Sequence, residues 1–382
     1  MSVVISSSTM AADYPIYQVP RGSYPHLAEL LRPHIAQTLV LLRHLQWSHT
    51  PSNASIYTTF PVRNSDGTPI NTLPRTFSAA RIDRTAFRGQ QLYVFCSLEL
   101  DIDPPLTTGE REQAAAQLSS LLAHLHHLDN PFHNFTLPPS SSQEPGMQGT
   151  ITDRVLTGHL HSTTAAILEQ YGLIPSHATP YNKYVISYTP TGTLPPLPER
   201  MEYTTITAAD YELVMANNSL IQDPKTFADC PTAAIRLTND GHRASKSTAG
   251  AATPPSSAQT TATADPASKP GALIAWAFLT GYGSVRSLHV QPAYRGQGLA
   301  RKVVLKLLED EWPAEFVSAA KAGESERIVH TDIDPDNEPS IRTFAPLGNE
   351  LARSQRYWVE VNLARAEGAL GRLLGRGREA DV

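Results

Sequence analysis

Residues 284–300, SVRSLHVQPAYRGQGLA, combine the residue types that handle a phosphorylated ligand. Gly296 and Gly298 stand where a strand-like run gives way to a helical one. Two glycines at a helix entrance let a phosphate approach the backbone, and the first-turn N–H groups and the positive end of the helix dipole then bind it. The helix that follows carries Ala300, Val303, Val304, Leu307 and Leu308 on one face and Lys302, Lys306 and Glu309 on the other. Upstream, apolar residues fall at Val285 and then at Leu288 and Val290, so the alternation slips by one position. A β-bulge makes such a slip and leaves a backbone N–H unpaired around Val290. Neither the GxGxxG fingerprint of dinucleotide sites nor the Gly-Lys-Ser/Thr of a P-loop is present.

Further groups around this run could move protons or bind ligands. His289 titrates near neutrality and is a candidate base, although strand alternation also permits it to face the core. Residues 328–333, IVHTDI, read as a strand, and 334–340, DPDNEPS, start a helix directed toward Gly348. Asp332 and Asp334 are weaker base candidates whose plainer reading is solvated turn and cap carboxylates. His124, His126, His127, His133, His159 and His161 invite a metal reading. Only His124 and His127 share a helix face, and no carboxylate or cysteine joins them at ligand spacing, so no metal is expected. Arg353, Arg356, Tyr357 and Trp358 either line an acceptor pocket and bind a carboxylate or form an edge strand with solvated charges. Cys96 and Cys230 have no local histidine or basic activation, so neither is expected to be a nucleophile.

The elements that must position these residues follow from periodicity. Helices are predicted at 27–45, interrupted by Pro33, at 110–128 and at 163–171, ending at Gly172. Strands are predicted at 55–62, 76–82, 92–98 and 184–188, the last closing a first unit over 14–190. A Pro-rich connector at 189–200 separates this unit from a second one over 201–363. That unit begins with a strand at 201–206 and a helix at 208–215 capped by Thr207, followed by strands at 233–237 and 272–279. Between the last two, residues 239–270 contain no Val, Ile, Leu, Met, Phe, Tyr or Trp. Such a segment cannot offset its ordering entropy and reads as a disordered hairpin insertion. A loop is expected at 138–145, and a weak helix with a frayed tail over 364–382.

Composition limits the function classes. The chain has 382 residues, 18% of them charged, and 31 prolines. Its net charge of -5 gives no reason to expect nonspecific nucleic-acid binding. Two cysteines outside any CxxC exclude a disulfide scaffold and point to a reducing compartment. The first residues lack a signal pattern, and no run reaches the roughly 18 apolar residues a membrane span needs. A cytoplasmic protein is expected, with its oligomeric state open.

The loop at 295–300 resembles the Q/R-x-x-G-x-G/A signature of the GNAT superfamily of acyl-CoA N-acyltransferases, matching at Arg295, Gly298 and Ala300. The preceding Val290, Pro292 and Tyr294, and an N-x-x-A/S match at Asn337 and Ser340, fit the same family. Cys230-Pro231-Thr232, Asp334 followed by Asn337 and Glu338, and the late Trp358 are similar to its glycine N-acyltransferase-like branch. The resemblance implies an α/β (α+β) fold of two tandem GNAT-like mixed-sheet domains, the first degenerate and the second carrying the acyl-CoA site. It implies acetyl-CoA or another acyl-CoA as co-substrate, without a metal, and an amine acceptor that attacks the thioester directly. Leu288, Val290, Arg295, Gly296, Gln297, Gly298, Leu299, Ala300, Arg301, Asn337 and Ser340 are the implied cofactor-binding residues, and the Val290 amide stabilises the oxyanion. Two departures stand out. Phe344 occupies the position of the tyrosine acid, and Ser284 occupies the position where the glycine-acylating relatives place a glutamate base. The base is therefore open, with His289 a candidate. The acceptor reads as a small amine or amino acid; a protein lysine or N-terminus, and a non-catalytic acyl-CoA-binding role, are the alternatives.

Overall fold

Proline determines how the chain begins. In the computed structural model, α1 (Tyr24–Leu31) and α2 (Ile35–Gln46) are joined by a 3-10 turn holding Pro33, because proline cannot continue the hydrogen-bond ladder of the preceding turn. The structure describes residues 14–47, 54–83, 91–128, 154–175, 180–218, 229–238, 271–316 and 326–374. The expected loop at 138–145, the insertion at 239–270, His133 and the end of the tail lie outside the described residues.

The remaining elements of the N-terminal half are strands β1 (Tyr17–Gln18), β2 (Ser55–Thr58), β3 (Ser78–Asp83) and β4 (Gln91–Cys96), then α3 (Thr108–His126), β5 (Arg154–His161), α4 (Ser162–Gln170) and β6 (Pro180–Tyr188). The C-terminal half has β7 (Met201–Thr204), α5 (Tyr211–Ala216), β8 (Thr232–Leu237), β9 (Leu273–Leu279), β10 (Val285–Val290), α6 (Leu299–Asp310), β11 (Arg327–Ile333), α7 (Glu338–Phe344), β12 (Asn349–Asn362) and α8 (Ala366–Leu373). Several strands are shorter than their apolar runs: β2 stops at Thr58, and residues 97–99 turn into a 3-10 helix after β4. Thr107, with Glu110, forms a capping box that starts α3 two residues before the predicted helix. Thr207 does cap, through Asp210, but it caps a short 3-10 turn that leads into α5.

The fold is α/β with mixed sheets. One sheet runs β1-β2-β3-β4-β5-β12-β6-β11 and the other β10-β9-β8-β7. Strand β6 does not close the first unit as its position in the sequence suggests. It lies between β12 and β11, while β12 lies between β5 and β6. The two halves have thus exchanged their last strands, and β6 carries a run buried on both faces because it is central rather than terminal.

Among the described residues, parallel contacts occur at two places, where neighbouring strands part. β4 and β5 pair only at Gln91 with Leu156 and Leu92 with Thr157. β10 and β11 touch through a single parallel bridge, Ser284 to His330. The apolar face of α6 (Val303, Val304, Leu307, Leu308) packs on β9 and shares one core with its Ala275, Ala277 and Leu279 and with Ile186 of the exchanged β6. In the other half, Leu118, Leu121 and Leu122 of α3 pack against Val361 of β12 and Ala366 and Ala369 of α8. The expected weak tail helix is therefore a core element, held by residues of the opposite half.

Candidate active site

The site grows from the defect in β10. Val285 and Arg286 pair with Leu279 and Phe278, but the next matched residues are His289 with Trp276 and Val290 with Ala275. Ser287 and Leu288 together stand opposite the single residue Ala277, and Ser287 adopts a left-handed φ of 52°. Its hydroxyl accepts from Asn218 Nδ2 at 3.0 Å, which ties the bulge to the end of α5. The Gln291 N–H donates to Ile274 O at 2.8 Å. Successive strand amides alternate in direction, so the Val290 N–H points away from β9 and into the gap that opens toward β11.

Beyond Val290 the chain turns through a 3-10 helix (Pro292–Tyr294), and Arg295 Nε returns to Val290 O at 3.1 Å. Gly296 and Gly298 have φ of 79° and 71°, a region costly for any residue with a Cβ. Gly298 is the N-cap of α6. The first intrahelical bond runs from Lys302 N to Gly298 O, so the N–H groups of Leu299, Ala300 and Arg301 have no acceptor within the helix. Arg295, Gly296, Gln297, Gly298 and Arg301 are all exposed at this mouth. Arg301 donates to Pro346 O at 3.0 Å, and Lys302 to Pro196 O at 2.8 Å. This loop therefore offers an anion a cradle of free amides beside cationic side chains.

The other face of the parting strands looks toward the N-terminal half, and its polar groups were only partly visible in the sequence. His159 Nδ1 is 3.2 Å from Asp332 Oδ2, and His330 Nδ1 is 3.5 Å from Asp332 Oδ1. His330 Nε2 donates to Tyr282 O at 3.2 Å. Burial pushes the Asp332 carboxyl up, but the two imidazoles outweigh it and hold the group well below the usual range. Burial pushes the His330 imidazole down to about 3 and also lowers that of His159. Lys183, opposite Asp332 on β6, is 1% exposed, and burial takes its ammonium down to about 7. A cavity of about 20 Å³ beneath α2 is bordered by Lys183, Glu99, His159 and Arg356, room for about one water. The ligand-type atoms of His159, His330 and Asp332 lie within 4.8 Å of one another. Lys183 and Arg286 bear electrostatically on this group and oppose a further cation. The trio could not be read from spacing, because β5 and β11 are distant in sequence.

Other expected residues have more local roles. Ser284 is fully buried, its hydroxyl without a hydrogen-bond partner, at the closed end of the gap. His289 stacks on Trp276 at 4.5 Å, with its pKa lowered by burial and then by Arg295. The Asn337 side chain accepts from Ser340 N at 3.2 Å, so this pair caps α7. Asp334 accepts from Asp336 N in the turn before it. Phe344 is a core residue. Residues 353–358 do not form an edge strand with solvated charges: β12 is internal, and Arg356 is buried and paired with Glu99. Arg353 is exposed, lying over Tyr184 and bound to Glu350. His127 pairs with Glu367, and His161 caps α4 by accepting from Thr163 N. Cys96 and Cys230 are free thiols, and burial pushes both up to about 11.

Two family models match the chain. Residues 13–184 match the acyl-CoA N-acyltransferase verG N-terminal domain, and residues 266–359 match the FR47-like protein family. No curated protein matches it. Among solved structures, a Drosophila protein from a structural genomics programme is similar over 91% of this chain and 98% of its own, with 13% identity and a TM-score of 0.51. A GCN5-related N-acetyltransferase from Sphaerobacter thermophilus is similar over 93% of this chain and 97% of its own, with 13% identity and a TM-score of 0.42. Among the described residues, no helix is long and apolar enough to cross a membrane.

Proposed function

The chain belongs to the GNAT superfamily of acyl-CoA N-acyltransferases, and on that premise we propose that it transfers an acyl group, in the first instance acetyl, from acyl-CoA to the amine of a small molecule or amino acid. The observation that carries this reading is the combination of parted strands and glycine cradle in the C-terminal half. Pantetheine lies between β10 and β11, along exposed backbone. The pyrophosphate rests on the amides of the loop at 295–301, with Gly296, Gln297, Gly298, Leu299 and Ala300 in contact and Arg295 and Arg301 supplying charge.

The thioester carbonyl then meets the Val290 N–H, whose fixed direction stabilises the oxyanion as the amine attacks. A pre-aimed amide in a water-poor cleft is worth more than the same bond in water, because no solvent has to reorganise during the reaction. Phe344 has no proton to give, so the CoA thiolate departs toward solvent, as a thiol of ordinary acidity permits. Leu288 flanks the acyl chain. Asn337 and Ser340 act through the start of α7 at the rim of the cleft.

The alternative of acyl-CoA binding without catalysis draws on Phe344 and Ser284. The two readings separate in a screen for CoA release, with acetyl-CoA and longer donors against a panel of amines. Thiol release that needs an amine supports transfer; acyl-CoA binding without release on any amine supports the alternative. Absence of acyl-CoA binding would defeat both.

A further inference from the structure

We propose that His159, supplied by the N-terminal half, is the general base of the acyl transfer, with Asp332 as its positioning residue. This inference rests on the transferase reading above.

The geometry is that of a carboxylate-oriented imidazole. Asp332 Oδ2 stands 3.2 Å from His159 Nδ1. Tyr181, whose hydroxyl accepts from His159 N at 3.0 Å, lies 3.2 Å from the same Nδ1. The carboxylate can only accept, so its contact places the ring proton on Nδ1 and leaves the lone pair on Nε2. That Nε2 is buried and has no hydrogen-bond partner. A buried acceptor costs stability unless something binds it, so an orphaned one is a reason to look for an incoming donor.

The backbone is bent to deliver this ring. His159 has a left-handed φ of 59°, uncommon for a residue with a Cβ and concentrated at functional positions. A Cβ on the preceding Gly158 would lie 2.5 Å from the Trp358 indole. Trp358 thus packs against bare backbone, its ring 5.3 Å from that of His159. The histidine is held at the closed end of the C-terminal gap. Its ring is 5.0 Å from that of His330, the residue that bridges to Ser284, and 5.4 Å from that of Tyr282.

The groups that face His159 favour its neutral form. Asp332 attracts a proton to it, while burial, Lys183 of β6 and Arg286 of β10 oppose one. His44 of α2 and Tyr93 of β4 pack nearby and are themselves neutral at ordinary pH, burial lowering the first and raising the second. His289, by contrast, has no carboxylate to orient it among the described residues.

In the step itself the amine lone pair forms the C–N bond, and the amine proton passes to Nε2. The C–S bond then breaks with its electron pair on sulfur, and the imidazolium proton returns through solvent to the CoA thiolate. No further reactant is needed.

The test uses the full chain, acetyl-CoA, and glycine, glucosamine and tryptamine as acceptors, reading thiol release against pH and acetyl-CoA binding by calorimetry. His159→Gln is expected to bind acetyl-CoA within about twofold of wild type while kcat falls about 100-fold, with loss of the acidic limb of the pH profile. Asp332→Asn is expected to move that limb to lower pH, since the carboxylate raises the affinity of His159 for its proton. Unchanged kcat and pH profile in His159→Gln, or loss of the limb in His289→Gln instead, overturns the assignment. Should His159→Gln fail to fold, an unshifted limb in Asp332→Asn overturns it equally. A wild type that binds acetyl-CoA but releases no thiol defeats the transferase reading and this inference with it; an active wild type with an unaffected His159→Gln strikes only the inference.

Discussion

Arg356 donates to Glu99 at 2.7 Å across 257 residues of sequence, with both side chains almost wholly withdrawn from solvent. Thr164 Oγ1 donates to the same carboxylate at 2.8 Å. The pair sits just past the end of β4, where β4 and β5 have parted. The exchanged β12 thus brings the cation that closes the opening of the N-terminal half. Among the described residues, no ion pair joins β10 to β11.

Arg356→Met should therefore cost about 3–5 kcal/mol, because it strands a buried carboxylate. The double variant with Glu99→Gln should recover part of that loss. Urea unfolding of the three proteins checks it, and a single variant as stable as the wild type would contradict it.

Lys183 predicts the opposite sign. Its folded pKa of about 7 lies below the unfolded value of about 10.4. Between those values the unfolded chain binds more protons, so this lysine's contribution to stability grows as pH rises through the window. It is lost again as pH falls through it, at about 1.4 kcal/mol per pH unit. Lys183→Met should raise Tm at pH 7 and reduce the difference in stability between pH 7 and 10. A lower Tm at pH 7 would refute the reasoning.

His330 works in acid. Its folded pKa, about 3, lies below the unfolded value of about 6.5. Its buried neutral ring favours the native state above pH 6.5, and that contribution is lost progressively as pH falls from 6.5 toward 3. His330→Asn should flatten the decline in Tm between pH 6.5 and 4.

At Gly298, with φ of 71° and open space where a Cβ would stand, strain and charge can be separated. Gly298→Ala should cost about 1–2 kcal/mol of stability for the left-handed backbone and weaken acetyl-CoA binding only modestly. Gly298→Glu adds an anion where the pyrophosphate rests, and should raise the acetyl-CoA Kd at least tenfold more than alanine does, in calorimetry at fixed ionic strength.

What depends on local chemistry was readable in the sequence. The slipped alternation from Val285 to Val290 is the bulge, Pro33 is the break between two helices, and Gly172, with φ of 71°, follows the end of α4. Gly296 and Gly298 announce the cradle because a left-handed backbone leaves so few alternatives. The groups around His159 were not readable, since they come from β4, β5, β6, β10 and β11, and strand order is decided by long-range pairing. Arg356 shows the same limit. Its neighbours in sequence suggest an exposed edge, and only the insertion of β12 between β5 and β6 buries it. His289 looked like a base through its position beside the cleft, yet Trp276 covers its ring.

The exchange of β6 and β12 also imposes an order on synthesis. When β6 leaves the ribosome, both strands that will flank it, β12 and β11, are still untranslated. A nascent chain shorter than about residue 349 holds β5 and β6 with open edges, and such edges pair readily with whatever strand they meet. The N-terminal half therefore waits, incomplete, until β12 is made, and a frameshift just upstream of it would split the eight-stranded sheet between β5 and β6.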